Sequence, residues 1–246
     1  MKKRLDHILV ERELFPSRTR AQAAIMAGKI YINGQRSDKA GTLIDLQTEI
    51  EIRGENMPYV SRGGLKLEKA LEEFGVDVRE KVCLDVGAST GGFTDCLLQN
   101  GAVKVYALDV GYGQLAWKLR QDSRVVVIEK TNARYLTLES LKLQTPNIEL
   151  CVIDVSFISL SKILPAVFNV LADDAIVVAL IKPQFEAKRE QVGKGGIVRS
   201  DEVRQEVIER VKQEADAIGF KTKGIIQSPI TGADGNVEFL IYLSKS

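Results

Sequence analysis

From Lys81 onward, short apolar segments alternate with helical stretches, and this alternation limits the possible folds more than any other feature of the sequence. Apolar strands separated by helices, of which 202–218 is the clearest, are typical of a doubly wound α/β sheet with ligands at the strand carboxyl ends. Only the short stretch SPITGADGN joins the last two segments, so the seventh strand is predicted to run antiparallel to the sixth. The predicted strands are 82–86, 103–109, 125–129, 149–155, 175–181, 221–227 and 237–243.

The first 55 residues have a different pattern, which predicts a small α+β domain. Apolar residues at positions 5, 8, 9 and 14 fall on one face of a helix over 4–15. A second helix is predicted between a cap at Ser17 and a stop at Gly28, and two alternating segments around Asn33-Gly34 predict a hairpin. We therefore predict domain 1–55, an interdomain linker at 56–64, where glycine and proline break the pattern, and domain 65–246.

Positive charge is concentrated at the N-terminus. Residues 1–36 carry eight Lys and Arg against three acids, so this segment has a charge of +5 while the whole chain has +1. A positive face on an otherwise near-neutral protein is suited to binding an anionic polymer. Charge alone does not distinguish such a face from an ordinary solvated helix surface.

The sequence offers no membrane span. The longest purely apolar run, AIVVALI at 175–181, has seven residues, whereas a bilayer span needs about 20. Asp6, His7 and Glu11 interrupt the basic N-terminus, which therefore lacks the apolar core of a signal peptide. We expect a cytoplasmic protein.

With three cysteines and one histidine, the sequence offers few residues for disulfides, zinc sites or histidine-based catalysis. Cys83, Cys96 and Cys151 lie in apolar surroundings without a C-x-x-C pair, which argues against a disulfide framework or a zinc site. We expect buried, inert thiols and no metal. His7 is the only histidine, so proton transfer is expected to use Lys, Asp, Glu or Tyr.

The stretch LDVGASTGGFTDCLL, residues 84–98, predicts a loop in which a ligand touches the backbone. Ser89 stands where a nicotinamide-binding loop has its second glycine, and no Lys-Ser/Thr pair follows as in a P-loop. Asp85 can meet an ammonium group, the amides at the helix start suit a carboxylate, and Asp109 ends the second strand where it can hold ribose hydroxyls. Together these features favour S-adenosylmethionine, with structural glycines in a tight turn as the alternative.

Four polar residues stand at conspicuous positions: Lys66, Asp154, Lys182 and Glu238. Lysine and aspartate are rarely buried without a partner. Asp154 and Lys182 close strands that are predicted to be neighbours, so both side chains can reach one crevice. Strand-end charges that point to solvent are the alternative for each residue taken singly.

These four residues lie in stretches of sequence that resemble a known protein family. The chain resembles the TlyA-type family of bacterial ribosomal-RNA 2′-O-methyltransferases, also known as hemolysins, which join an S4-like RNA-binding domain to an FtsJ-like methyltransferase domain. The likeness implies methylation of a cytidine ribose in 23S rRNA, with 16S rRNA as a further candidate. Members that modify both carry extra C-terminal sequence, and an end at Ser246 favours 23S. The matching stretches are RLD, SRTRAQAAIMAGKIYING, SRGGLKL, LDVGASTGGFTDCLL, ALDVGYGQLAW, TNAR, DVSFISL, KPQFE and GNVEFL.

The resemblance also implies roles for the four polar residues, because FtsJ-like enzymes use a Lys-Asp-Lys-Glu set. We assign Lys182 as the base that takes the proton of the ribose hydroxyl. A free lysine titrates near 10.4, so this role needs a pKa lowered by burial and by a neighbouring cation, for which Lys66 is the candidate. Lys66 would also orient the ribose, while Asp154 and Glu238 would position the lysines and the reacting end of the donor.

We expect ribosomal RNA or a ribosomal subunit as partner, and neither DNA nor stable membrane insertion; the oligomeric state is left open. The alternatives are a non-catalytic RNA-binding protein, a membrane-active hemolysin and, more remotely, a nicotinamide enzyme. Donor contacts are predicted at Asp85, Gly87, Ala88, Ser89, Thr90, Gly91, Asp109, Asn132 and Ala133, and RNA contacts at Arg4, Arg18, Arg20, Lys29 and Arg62.

Overall fold

The chain divides into two compact units, residues 1–56 and 57–246. The computed structural model describes residues 2–15, 17–52, 57–232 and 235–245. Within the predicted linker, Asn56 lies outside the described residues, Tyr59 is buried, and Gly63 already begins a helix.

The first unit combines helices with short strands. Strand β1 pairs antiparallel with β4, and β2 pairs with β3 and β5 in a three-stranded sheet. Its core is formed by apolar side chains such as Leu5, Ile8, Leu9, Ile25 and Ile30. The elements are β1 (Lys2–Arg4), α1 (Leu5–Glu11), α2 (Arg18–Met26), β2 (Ile30–Ile32), β3 (Gln35–Arg36), β4 (Leu43–Asp45) and β5 (Ile50–Ile52).

Two local predictions in the first unit are confirmed. The Ser17 hydroxyl accepts a hydrogen bond from the backbone N–H of Arg20 at 3.4 Å and caps α2. Asn33 and Gly34 have φ angles of 47° and 78°, as a tight hairpin turn between β2 and β3 requires. Side-chain capping and turn chemistry act over a few residues, which is why the sequence reveals them.

The predicted end of the first helix is wrong. Helix α1 stops at Glu11, and the chain turns at Glu13, whose φ is 57°. Leu14, which was expected on the buried face, is 40% exposed. The backbone N–H of Leu14 bonds back to the carbonyl of Leu9, so the chain closes a loop there instead of continuing the helix.

The second unit contains all seven predicted strands, and the predicted helix 202–218 corresponds to α8. Its strands are β6 (Val82–Val86), β7 (Lys104–Leu108), β8 (Val125–Ile128), β9 (Ile148–Ile153), β10 (Leu171–Ile181), β11 (Phe220–Gln227) and β12 (Phe239–Lys245). Its helices are α3 (Gly63–Phe74), α4 (Gly92–Gln99), α5 (Trp117–Arg120), α6 (Leu164–Phe168), α7 (Pro183–Glu186) and α8 (Asp201–Ile218).

These strands form one sheet in the order β11-β12-β10-β9-β6-β7-β8. Strands β6 to β10 pair in parallel, and β12 is antiparallel to both β10 and β11, which confirms the predicted direction of the last strand. The last strand is inserted between β10 and β11. Ile181 pairs with Phe239, so Lys182, just after β10, comes beside Glu238, just before β12.

Both faces of the sheet are covered, because successive strand residues alternate between two apolar cores. Leu84 and Cys151 pack in one core with α6 and α8, whereas Cys83 and Val152 pack in the other with α3 and α4. All three cysteines are free and buried, and burial raises the pKa of Cys83 and Cys96 to about 12. Among the helices of the described residues, none is long and apolar enough to cross a membrane.

Candidate active site

The loop after β6 brings backbone close to the ends of the neighbouring strands. Gly87 has a φ of 88°, and a Cβ at this position would lie 2.4 Å from the carbonyl oxygen of Asp154. Gly91, with a φ of 98°, precedes α4, and a Cβ there would lie 2.3 Å from a methyl carbon of Leu119. Both glycines are therefore required by φ and by space.

Asp109, at the end of β7, ties this loop to the next strand. Its carboxylate accepts hydrogen bonds at 2.7 Å from the backbone N–H groups of Ser89 and Gly111. The side chain faces a cavity of about 490 Å³, here named the aspartate cavity. Among the residues that line it are Gly87, Ser89, Asp109, Asn132, Ala133, Asp154, Ser156 and Phe157.

Asp85 lies behind the loop rather than in the cavity wall. It is fully buried, and its Oδ2 accepts a hydrogen bond from the hydroxyl of Thr94 at 2.6 Å. Its Oδ1 has no hydrogen-bond partner among the described residues. Burial, together with the nearby charges of Asp154 and Asp109, raises the pKa of Asp85 to about 7.

A second cavity, of about 320 Å³, is lined by both predicted catalytic lysines, Lys66 and Lys182, and is here named the lysine cavity. The Nζ of Lys182 lies 2.6 Å from Oδ1 of Asp154. This contact has ion-pair distance but not hydrogen-bond geometry, and the Lys182 ammonium donates instead to the hydroxyl of Ser156 at 3.0 Å. The lining includes Ser61, Arg62, Gly63, Lys66, Gly87, Ala88, Ser89, Thr90, Asp154, Ser156, Lys182 and Gly232.

The second lysine is held by the fourth predicted residue. Lys66, on α3, donates a hydrogen bond of 2.6 Å to Oε2 of Glu238, which lies 172 positions away in the sequence. Glu238 is only 2% exposed and lines neither cavity, and Gln184 donates to its other oxygen at 3.4 Å. A Cβ at Gly232 would lie 2.0 Å from Oε1 of Glu238, so a larger residue there would displace the Glu238 carboxylate.

The arrangement thus consists of two separate ion pairs at the carboxyl edge of the parallel strands. Asp154 belongs to the walls of both cavities, as do Gly87, Ser89 and Ser156. A molecule in the aspartate cavity and a molecule in the lysine cavity would therefore meet beside Asp154. This geometry suits the transfer of a group from one bound molecule to another, with an amine at the meeting point.

Both units match known sequence families. Residues 59–245 match the family described as FtsJ-like methyltransferase, and residues 3–50 match the S4 domain.

The chain belongs to the FtsJ-like methyltransferase family.

Its relatives carry two kinds of name. Hemolysin A of Brachyspira hyodysenteriae is 47% identical over 97% of this chain and 98% of that protein. The 16S/23S rRNA (cytidine-2′-O)-methyltransferase TlyA of Mycobacterium tuberculosis (strain ATCC 25618 / H37Rv) is 45% identical over 98% of this chain and 89% of that protein. A solved structure from Streptococcus thermophilus, 50% identical, covers 100% of this chain and 89% of that chain with a TM-score of 0.78.

Within this FtsJ-like unit, sequence reasoning missed the residues that hold the lysine pairs. Ser156 lies two positions after Asp154 in the stretch DVSFISL, and Gln184 lies two positions after Lys182 in KPQFE. Glu186, the last residue of KPQFE, connects the same two stretches. It is buried, and its carboxylate accepts hydrogen bonds from the Ser159 hydroxyl and the Leu160 N–H in DVSFISL. Burial raises the pKa of Glu186.

An aromatic side chain on the rim of the aspartate cavity was also missed. Phe157 is 89% exposed and has a φ of 64°, which is strained for an aromatic residue. Its ring contacts that of Phe185, with the centroids 4.8 Å apart. The contact joins the segment after β9 to α7, so a short stretch of exposed aromatic surface borders the site.

The S4 unit arranges two of the predicted RNA-binding residues around a buried acid. Asp6 is fully buried and accepts hydrogen bonds from the guanidinium groups of Arg4 and Arg18 and from the Gln22 amide. These donors, Arg4 above all, hold the pKa of Asp6 well below its usual range. Nothing in the sequence pattern marked Asp6, because two of its partners, Arg18 and Gln22, come from a different helix.

The other predicted RNA contacts are distributed over both units. Arg20 is exposed, and Lys29 is half-buried. Arg62 is exposed but belongs to the second unit, where it lines the lysine cavity. Of the predicted donor residues, Asp85 and Gly91 line neither cavity, while the remaining seven do.

Proposed function

We propose that this chain transfers a methyl group from S-adenosylmethionine to the 2′-oxygen of a cytidine ribose in ribosomal RNA. The observation that carries the proposal is the lysine cavity, where Lys182 and Asp154 stand at the wall shared with the aspartate cavity. The name of the Mycobacterium tuberculosis relative describes this reaction. We also propose that the protein acts in the cytoplasm, on 23S rRNA and with 16S rRNA as a further candidate.

The residues around the aspartate cavity fit the donor. Asp109 would hold the ribose hydroxyls, and Asn132 and Ala133 line the same cavity and would lie near the adenine. The first backbone amides of α4, just after the glycine-rich loop, suit a carboxylate. Asp85 keeps one buried oxygen without a partner among the described residues, two positions before Gly87, and this oxygen would accept a hydrogen bond from the ammonium group of the donor. When bound, the donor supplies an activated methyl group on a sulfonium.

Lys182 is proposed as the base in the lysine cavity. As the ribose oxygen loses its proton and takes the methyl group, the O–H bond and the sulfonium S–C bond break, an O–C bond forms, and a neutral thioether would leave. The proton passes to Nζ of Lys182, which must therefore enter the step as a neutral amine. The Ser156 hydroxyl and Asp154 hold this nitrogen at the wall between the cavities. Lys66, fixed by Glu238, would bind the ribose and keep its hydroxyl directed at Lys182.

The proposal is tested by methyl transfer from labelled donor to naked 23S and 16S rRNA and to the isolated ribosomal subunits. Wild-type protein is expected to label one of these substrates and to yield 2′-O-methylcytidine after nuclease digestion. Lys182→Ala should lower the single-turnover rate by about 10²–10⁴-fold, because the base is lost. Lys182→Arg should be nearly as inactive, since a guanidinium does not deprotonate in proteins.

Lys104→Ala serves as the matched control for these variants. Lys104 is exposed at the start of β7, the end of the strand opposite to the site, and its loss should leave the rate unchanged. Donor binding by all variants should match wild type. Failure of the wild-type protein to label any rRNA substrate would contradict the function, and full activity of Lys182→Ala at neutral pH would remove this lysine from the base role.

A further inference from the structure

A basic segment outside the cavities follows directly on the catalytic strand end. Residues 188–199, here named the basic loop, come just after α7, which itself begins after Lys182. The loop carries one acid, Glu190, and four cations. All four cations are exposed, and none forms an ion pair within the described part of the chain: Lys188, Arg189, Lys194 and Arg199.

In contrast to the basic loop, the neighbouring helix α8 carries cations that contact carboxylates. On α8, Arg204 pairs with Asp201, Arg210 contacts the carboxylate of Glu186, and Lys212 pairs with Glu209. These cations are already engaged with carboxylates. The cations of the basic loop would lose no internal ion pair on binding an anion.

The tip of the basic loop is held in one conformation by a buried side chain. Asn236 is only 3% exposed; its Nδ2 donates to the Gly196 carbonyl at 2.9 Å, and its Oδ1 accepts from the Val198 N–H at 3.1 Å. Gly193 and Ile197 form a β-bridge across the tip, with the Gly193 N–H donating to the Ile197 carbonyl at 3.0 Å. The loop is thus a fixed hairpin-like projection, not a loose tail.

Asn236 also joins the basic loop to the wall of the lysine cavity. Its carbonyl accepts a hydrogen bond of 2.9 Å from the N–H of Gly232, which lines that cavity. Two positions further along the chain, Glu238 holds Lys66. The unpaired cations therefore belong to a segment that is connected by hydrogen bonds, through Asn236, to the cavity wall.

We propose that the basic loop binds phosphate groups of the RNA that flank the target nucleotide. This inference rests on the proposed function and adds a second RNA contact, on the methyltransferase unit itself. Fixed cations without internal partners suit phosphates, whose contacts release condensed counterions and make affinity depend on salt. The exposed glycines of the tip let the polynucleotide backbone approach without side-chain obstruction.

The test compares two triple variants of the full-length chain. Arg189→Ala/Lys194→Ala/Arg199→Ala neutralises the basic loop. The control, Lys104→Ala/Lys221→Ala/Lys223→Ala, removes the same charge from exposed residues near the starts of β7 and β11, at the opposite edge of the sheet. Binding to the rRNA substrate is measured between low and moderate salt, with donor binding and thermal midpoint as checks of folding.

For the basic-loop variant, the slope of log affinity against log salt should become shallower by about 2 to 3, since each phosphate contact contributes about 0.7 to 0.9. The control slope should stay close to that of wild type. An unchanged slope in the loop variant, or an equal loss in both variants, would overturn the proposal. Loss of methylation with an unchanged slope would also overturn it, in favour of a role in the chemical step.

The binding slope is measured without turnover, so the two proposals can fail separately. If the wild-type protein binds rRNA but methylates none, the proposed function is wrong, while the difference between the two triple variants still decides whether the loop contacts phosphates.

Discussion

Removal of Lys66 is expected to destabilise the protein far more than removal of Lys182, although both lysines contact a carboxylate at 2.6 Å. The difference lies in the partner that is left behind. The Glu238 side chain is 2% exposed, whereas that of Asp154 is 22% exposed. An unpaired carboxylate at Glu238 would have almost no water to replace the lost ammonium.

The size of the effect follows from this burial. Removing one partner of a buried ion pair lowers the stability by about 3–5 kcal/mol, because the remaining charge stays unpaired in a medium of low dielectric constant. For Lys182→Ala we expect a loss of stability of about 1–2 kcal/mol, which lies between that value and the roughly 0–1 kcal/mol contributed by an exposed pair. Adding Glu238→Gln to Lys66→Ala removes the stranded charge and should restore more than half of the lost stability, with Gln184 still able to donate to the amide oxygen.

The assay is urea unfolding of the full chain at neutral pH. The chain contains one tryptophan, Trp117, which lies in α5 of the second unit, so its fluorescence reports on the unit that carries both pairs. Circular dichroism provides a second probe. Equal losses for the two lysine variants, or no recovery in the Lys66→Ala/Glu238→Gln double variant, would refute the reasoning from burial, whatever the effects on methyl transfer.

Three further outcomes are expected. Asp109→Ala should weaken donor binding by about tenfold or more in calorimetry, since a good hydrogen bond to a charged group contributes about 1.5–3 kcal/mol; equal affinity of the wild-type protein for a nicotinamide dinucleotide would count against the donor assignment. Asp85 has a pKa of about 7 in the folded chain and about 3.9 when unfolded, so the folded state binds the proton more strongly and stability falls by up to about 4 kcal/mol as pH rises through this window. Asp85→Asn should abolish that dependence, as judged by urea midpoints at pH 5.5 and 8, and an unchanged pH dependence would show that the carboxyl does not titrate there. Arg18→Ala/Arg20→Ala should weaken rRNA binding and flatten its salt dependence, and a variant that binds as wild type does would exclude this helix as a phosphate contact.

Much of the molecule can be predicted from the chain alone, because the signals concerned are local. The alternation of apolar segments and breaks predicts all seven strands, and the absence of room for a crossover predicts the direction of the last one. Gly87 and Gly91 could be placed in a tight ligand loop because only glycine tolerates their backbone angles and close contacts. Lys66 and Glu238 already stood out as polar residues, and the resemblance to a known family then connected them, which no local pattern does.

Tertiary structure decided what these residues can do together. The insertion of β12 between β10 and β11 brings Glu238 beside the end of β10 and within reach of Lys66, 172 positions away. Likewise, only the packing of α1 against α2 buries Asp6 between Arg4 and Arg18. Hydrophobic periodicity specifies which face of a strand or helix is buried, but not which strands become neighbours. That choice depends on the free energy of the whole packed sheet, and with it the burial and the charge partners of each ionisable group.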